Sequence, residues 1–134
     1  MRIGTDIVNI ARMGQALARR PRLAERLFTA EERRYCESKR DSAQHFAVRF
    51  AAKEAVAKAL GKSLRWWDVE ITRAAGMAPQ AILRGRAKKV AAGGRIEISL
   101  SHSGEYAIAC ALYDPPAGLG TRGETENRGK LRDT

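Results

Sequence analysis

The stretch from Arg49 to Gly61, RFAAKEAVAKALG, constrains the fold of this chain more than any other. Five of its residues are alanine, the best helix former, and no helix breaker occurs before Gly61. It therefore predicts the second half of a long helix that begins near Asp41 or Ser42, with Gly61 as the residue just past its end.

One acidic residue in this helix requires an explanation. At about 100° per residue, Phe46, Phe50 and Ala57 share one stripe, and Glu54 falls at its edge. A carboxylate beside phenylalanines is costly to bury unless a cation holds it. That cation can be Lys58, one turn later, or a metal ion. From this stretch alone, a partly solvated helix with a salt bridge is the simpler interpretation.

A second acid of this kind lies near the N-terminus. Residues 2–10 alternate and are rich in Ile and Val, which predicts a strand on which Asp6 shares a face with Val8 and Ile10. Asp is disfavoured in strands, although an Asp at a strand end can simply face solvent. Two carboxylates from different elements, Asp6 and Glu54, together with substrate phosphates, are the usual ligands of Mg²⁺.

The other patterns indicate shorter helices and strands on both sides of the long helix. Thr29-Ala-Glu-Glu32 is a capping box, and His102 lies at the mouth of the last hairpin. Further helices are expected over 11–28 (interrupted by Pro21), 30–38 and 85–92, and further strands over 68–74, 80–84, 95–101 and 106–113.

The length of 134 residues predicts one domain, which ends at Asp114-Pro-Pro. We assign residues 1–116 to it and expect 117–134 to form a flexible polar tail. Two cysteines without a CxxC motif do not make a disulfide framework, and neither a secretory signal nor a membrane span is predicted. A cytoplasmic protein with reduced thiols is therefore expected.

The net charge of +10 favours an anionic partner. Within 12–26, five arginines accompany only one acid, Glu25, so this segment is either a docking surface for something acidic or an ordinary solvated face. The five arginines are Arg12, Arg19, Arg20, Arg22 and Arg26.

Several classes of site are disfavoured. The sequence contains no GxxxxGK[ST] or HExxH motif, and its two histidines are far apart, which argues against a zinc site. A small basic nucleic-acid-binding domain fits the charge but leaves Asp6 and Glu54 without a role. A third interpretation is a non-catalytic adaptor that binds acidic proteins through its arginines.

Three stretches in order resemble the acyl carrier protein synthase group of 4′-phosphopantetheinyl transferases. They are Gly4-Thr-Asp-Ile-Val-Asn-Ile10, the central stretch Arg49–Gly61, and Ser99-Leu-Ser-His102 followed by Tyr106-Ala-Ile-Ala. The resemblance covers residues 2 to 113, and the central motif is the most specific.

The resemblance implies an α+β fold, in which a small antiparallel sheet packs with a long central helix. It implies that the chain assembles as a homotrimer with active sites at subunit interfaces. It also implies transfer of 4′-phosphopantetheine from coenzyme A to a serine of apo acyl carrier protein, which leaves adenosine 3′,5′-bisphosphate. Asp6 and Glu54 would hold Mg²⁺, and Lys58 and His102 would contact the phosphates. Either Glu54 or a metal-bound water would deprotonate the serine.

The remaining motif positions, Arg49, Lys53 and Gly61, would lie against coenzyme A if the resemblance holds. The arginines between Arg12 and Arg26 would then dock the acidic carrier protein.

Overall fold

The computed structural model describes residues 1–118. In chain order, the elements are β1 (Arg2–Asn9), α1 (Ile10–Arg19), α2 (Leu23–Leu27), α3 (Ala30–Glu37), α4 (Ser42–Leu60), a 3₁₀ turn (Trp66–Asp68), β2 (Val69–Thr72), β3 (Gln80–Leu83), α5 (Gly85–Ala91), β4 (Arg95–Ser103) and β5 (Tyr106–Asp114). The predicted α+β class, with a small antiparallel sheet and a long central helix, is confirmed.

The main sheet has three antiparallel strands in the order β1-β5-β4, and β2 and β3 form a separate antiparallel pair. Asp6 pairs with Ala109, and Ala109 pairs with Leu100. Because side chains alternate along a strand, Gly4, Asp6 and Val8 face α4, whereas Ile3 and Ile7 face away from it.

The long helix α4 is the centre of the molecule. It contacts β1, β4 and β5 on one side and α1, α3, β2 and α5 on others. Its alanines are fully buried at five positions, which allows close packing: Ala47, Ala51, Ala52, Ala55 and Ala59. The sequence suggested a helix with one solvated side, but Arg49 and Lys53, expected on that side, are also buried.

The closest approach of the sheet to α4 occurs at Gly4. A Cβ built there would meet the Ala55 carbonyl oxygen and would lie 2.7 Å from the Ala59 backbone nitrogen. Only glycine fits at this position, and the close contact fixes the height of β1 along the helix.

The predicted helix ends are mostly correct. Pro21 lies between α1 and α2, and the capping box of Thr29 and Glu32 is present at the start of α3. Gly61 ends α4 with a left-handed φ of 71°. At the other end, Asp41 occupies the cap position of α4, but its side chain makes no capping hydrogen bond and instead contacts His45 at 3.2 Å.

Residues 1–118 contain no helix that is both long and apolar enough to cross a membrane. Nearly all of the predicted tail, from residue 119 onward, lies outside the described residues.

Candidate active site

The two predicted metal ligands line one groove. Asp6 projects from the inner face of β1, and Glu54 comes from the fourth turn of α4. The groove measures about 510 Å³ and runs between β1, α1 and α4. We call it the carboxylate groove; its other polar lining residues are Asn9 and Arg12, and Phe50 lines it as well.

The pKa of the Glu54 carboxyl is raised above its ordinary value. The largest cause is burial, and the second is the nearby Asp6 carboxylate, while Lys58 acts in the opposite direction. Two negative charges held close together in a partly buried groove favour either a proton or a cation between them.

Lys58 is adjacent to this pair. Its ammonium donates to the Thr5 carbonyl at 2.9 Å and to the Asp6 carboxylate at 3.3 Å. The helical spacing suggested an ion pair between Lys58 and Glu54, but the structure pairs Lys58 with Asp6. The Lys58 side chain is 55% exposed, which leaves its ammonium open to an anion from solvent.

The chemistry of the groove fits a hard divalent cation. Within residues 1–118, no group of three or more His, Cys, Asp and Glu side chains comes together to hold a metal. Asp6 and Glu54 supply two carboxylates, which suits Mg²⁺ because this ion commonly keeps waters and takes its other ligands from substrate phosphates. A closed zinc site would need four protein ligands.

Glu54 also lines a second, smaller cavity of about 170 Å³. Its wall is the segment after Gly61, including Ser63, Leu64 and Arg65. Trp66 closes the cavity and stacks on Phe50, with ring centroids 5.0 Å apart. Glu54 therefore stands between the carboxylate groove and a pocket with a basic edge.

Lys53 does not have the position that the sequence suggested. Its ammonium lies 2.6 Å from the Glu32 carboxylate and donates to the carbonyls of Leu27 at 2.9 Å and Trp66 at 2.8 Å. Its side chain is 1% exposed. An ammonium has three donors, and all three are used here, so direct contact between Lys53 and a coenzyme A phosphate is excluded in this arrangement.

Arg49 and His102 line a different pocket from the two acids, with a volume of about 100 Å³. Arg49 is buried, and its guanidinium lies 4.1 Å from the ring centre of Tyr35. In the part of the chain that the structure describes, its Nε has no hydrogen-bond partner. His102 is exposed at the end of β4, and Arg73 adds another positive charge to this pocket. The structure thus brings Asp6, Glu54 and Lys58 together within one chain but does not bring His102 to them.

The remaining predicted site residues are at the surface. Gly61 is exposed beside the Arg2 guanidinium, where a Cβ would lie 2.5 Å from its nearer terminal nitrogen. All five arginines of the proposed docking segment are exposed: Arg12, Arg19, Arg20, Arg22 and Arg26.

Sequence reasoning missed a buried polar network beside the site. Glu32 accepts from the Thr29 and Ile71 backbone nitrogens at 2.8 and 2.9 Å. Thr29 donates its hydroxyl to Glu70 at 2.5 Å, and Glu70 binds Arg84 through two contacts of 3.1 Å. The capping-box pattern indicated Glu32 as a cap, but nothing in the sequence indicated its pairing with Lys53.

The family model of the 4′-phosphopantetheinyl transferase superfamily matches residues 2–111. A holo-[acyl-carrier-protein] synthase of Moorella thermoacetica is 45% identical over 117 residues, covering 83% of this chain and 91% of that protein. One of Geobacter sulfurreducens is 44% identical over 121 residues, covering 84% and 96%.

Solved structures agree with the sequence matches. The holo-acyl carrier protein synthase of Plasmodium yoelii superposes with a TM-score of 0.76 at 30% identity, covering 86% of this chain and 94% of that one. The Helicobacter pylori synthase, solved in complex with coenzyme A, gives 0.73 at 29% identity, covering 84% and 99%. With the family match over most of its length, and with Asp6 and Glu54 lining one groove beside Lys58, this chain belongs to the 4′-phosphopantetheinyl transferase superfamily.

Proposed function

We propose that this chain transfers the 4′-phosphopantetheine group of coenzyme A to a serine of apo acyl carrier protein. The observation that carries the proposal is the placement of Asp6 and Glu54 in one open groove, with Lys58 paired to Asp6, in a chain that belongs to this superfamily. Family membership also favours this function over a nucleic-acid-binding domain, an interpretation that left Asp6 and Glu54 without a role.

In the proposed reaction, the serine hydroxyl oxygen forms a bond to the phosphorus that carries pantetheine. The bond between that phosphorus and the bridging oxygen of the pyrophosphate breaks, and adenosine 3′,5′-bisphosphate leaves. The serine proton passes to a base, so the products are the phosphodiester on the carrier and the bisphosphate. Such transfers are accelerated mainly by positioning and by stabilisation of phosphate charge.

Asp6 and Glu54 would hold Mg²⁺ in this scheme. The ion, when bound, neutralises charge on the pyrophosphate oxygens. Lys58, with its exposed ammonium beside Asp6, is placed to turn toward the same oxygens and to stabilise the departing bisphosphate.

Two bases remain candidates for the serine proton. Glu54 has a raised pKa, which improves it as a proton acceptor near neutral pH. A water on the metal is the other candidate, because a bound cation lowers the pKa of water.

We further propose that the chain acts as a homotrimer with the site between subunits. The outer face of the β1-β5-β4 sheet exposes large apolar side chains, with Ile3 64%, Ile7 61% and Ile108 39% exposed, and Tyr106 beside them. An apolar face of this kind is typical of a protein interface. A site that uses His102 together with Asp6 and Glu54 would need His102 from a second subunit, because the two sets line different pockets.

The acidic carrier protein is proposed to dock on the exposed arginines of α1 and α2. Arg12 lines the carboxylate groove itself, so a partner bound to these arginines can reach Glu54. A cytoplasmic setting fits the two cysteines, Cys36 and Cys110, which are both free.

The test of the proposed function is the intact mass of an apo acyl carrier protein incubated with coenzyme A, Mg²⁺ and this protein. A mass gain equal to one phosphopantetheine group on the carrier is expected, with one adenosine 3′,5′-bisphosphate released for each carrier modified. No gain with fatty-acid or polyketide carriers would overturn the proposal.

A further inference from the structure

A second basic pocket lies apart from both cavities that Glu54 lines. It has a volume of about 430 Å³ and is formed where α2, α3 and the 3₁₀ turn meet. Arg22, Arg26 and Arg33 supply three guanidinium groups, Glu25 one carboxylate, and Trp67 an aromatic wall. We call it the tryptophan pocket. It shares no lining residue with the carboxylate groove.

The positive charge of this pocket is poorly neutralised. Arg33 approaches Glu25 only at 3.9 Å, the long end of an ion pair, and its buried Nε has no hydrogen-bond partner among the described residues. Within residues 1–118, no ion pair joins Arg22 or Arg26 to an acid. The pocket therefore has three positive charges and one negative charge, and this net positive charge favours an anion.

The aromatic wall is exposed yet held in place. Trp67 is 51% exposed, although its indole nitrogen donates to the Glu25 carbonyl at 2.9 Å. That bond fixes the ring against α2 while its face stays open to solvent. A rigid tryptophan beside arginines is the combination most enriched at the energetic centres of protein interfaces.

We propose that the tryptophan pocket is a second anchoring point for the acyl carrier protein, where Arg22, Arg26 and Arg33 hold acidic side chains and Trp67 packs on an apolar side chain between them. This inference rests on the proposed function. Its new content is the participation of Arg33 and Trp67, which lie outside the arginine-rich segment of residues 12–26.

A protein partner fits this pocket better than a small anion. The three arginines come from α3, from α2 and from the residue before α2, so their positive charges are spread over separate parts of the chain. A helix with several carboxylates on one face can meet them separately. Arg22 and Arg26 also continue the arginines of α1, so one acidic partner can cover both.

The test compares Arg33→Gln with Arg34→Gln. The two arginines are neighbours on α3, but Arg34 is 72% exposed and is paired with Glu31 at 2.7 Å, outside the pocket. With the full chain, apo carrier and Mg²⁺, Arg33→Gln should raise the KM for the carrier about three- to tenfold, the usual scale for one interface charge. The KM for coenzyme A should stay unchanged, and Arg34→Gln should change neither.

Trp67→Ala provides a second variant that does not depend on a partly buried arginine. It should raise the KM for the carrier by a similar factor, and thermal unfolding of each variant should show that the fold is retained. Carrier added to the unchanged protein should alter tryptophan fluorescence, and this response should be lost in Trp67→Phe.

Unchanged carrier KM in both pocket variants, with transfer intact, would overturn the tryptophan pocket and leave the proposed function standing. A fluorescence response to free adenosine 3′,5′-bisphosphate that exceeds the response to the carrier and is lost in Trp67→Phe would overturn it in favour of a small-molecule site. Absence of transfer by the unchanged protein would overturn the proposed function, and the pocket's assignment with it.

Discussion

The Lys53 ammonium and the Glu32 carboxylate lie 2.6 Å apart, and neither side chain is exposed by more than 1%. Breaking such a buried pair leaves an uncompensated charge in the interior. Lys53→Met should therefore lower the free energy of unfolding by about 3–5 kcal/mol, measured by urea denaturation. Lys88→Met, at an exposed lysine on α5, should change it by less than about 0.5 kcal/mol.

A double variant separates the pair from other effects. Lys53→Met combined with Glu32→Gln should lose less stability than the sum of the two single changes, because the second removes a charge that the first leaves unpaired. If Lys53→Met instead kept full stability and raised only the KM for coenzyme A, the ammonium would be a substrate contact after all.

Removal of either groove carboxylate should abolish transfer without unfolding the chain. Asp6→Asn and Glu54→Gln should each lower turnover by about a hundredfold or more, the scale for losing one charge-stabilising group. Binding of Mn²⁺ as a Mg²⁺ substitute, followed by electron paramagnetic resonance in the presence of coenzyme A, should weaken in both. Glu37→Gln, at an exposed carboxylate of α3, is the control. Near-normal turnover in either groove variant would show that the metal assignment is wrong.

The contact between β1 and α4 should not tolerate a methyl group at Gly4. In Gly4→Ala, the new Cβ would meet backbone atoms of Ala55 and Ala59, which cannot rotate away. Overpacking of this kind costs about 1–3 kcal/mol or more, and it should displace Asp6 as well. Gly14→Ala is the control, because its Cβ would lie 3.2 Å from the Ala43 methyl group. Equal thermal midpoints for the two variants would contradict the close approach.

The exposed apolar sheet face should control assembly. Ile7→Glu puts a charge on this face and should convert the proposed trimer to a monomer of about 14.8 kDa in light scattering, because a buried unpaired charge is costly. Ile82→Glu, at another exposed isoleucine, on the β2-β3 pair, should leave assembly unchanged. A monomeric mass for the unchanged protein at micromolar concentration would argue against the trimer.

Cys36 should resist alkylation in the folded protein. Burial raises the pKa of its thiol to about 11, against an opposing effect of Arg49, and its side chain is not exposed. Since the thiolate is the reactive form, iodoacetamide at pH 8 should leave Cys36 unmodified in a Cys110→Ser background and modify it after unfolding. Rapid native modification, detected by mass spectrometry, would show that α3 opens from the core.

Local pattern predicted most of the fold. The capping box, Pro21 and Gly61 located helix ends because each acts on neighbouring residues. Strand alternation placed Asp6 on the inner face of β1. These features depend on short-range chemistry, which a sequence displays directly.

The sequence did not reveal which side chains pair when they are far apart along the chain. Lys53 and Glu32 are 21 positions apart, and their meeting depends on how α3 packs against α4. The helical spacing favoured Glu54 as the partner of Lys58, but the packing of β1 brought Asp6 closer. The family resemblance suggested that Lys53 contacts coenzyme A, whereas the structure buries its ammonium against Glu32. Arg49 is also buried, but it lines the pocket that contains His102.

The burial of α4 has a consequence for how this protein can change over generations. Lys53, a core anchor, and Glu54, a candidate ligand, are successive residues on a helix whose alanines leave no room for larger side chains. A substitution that shifts the helix therefore affects folding and activity together, so stability and activity limit the same substitutions in α4. Substitutions that change stability without changing activity, or activity without stability, are expected on the outer surfaces of α1, α3 and α5.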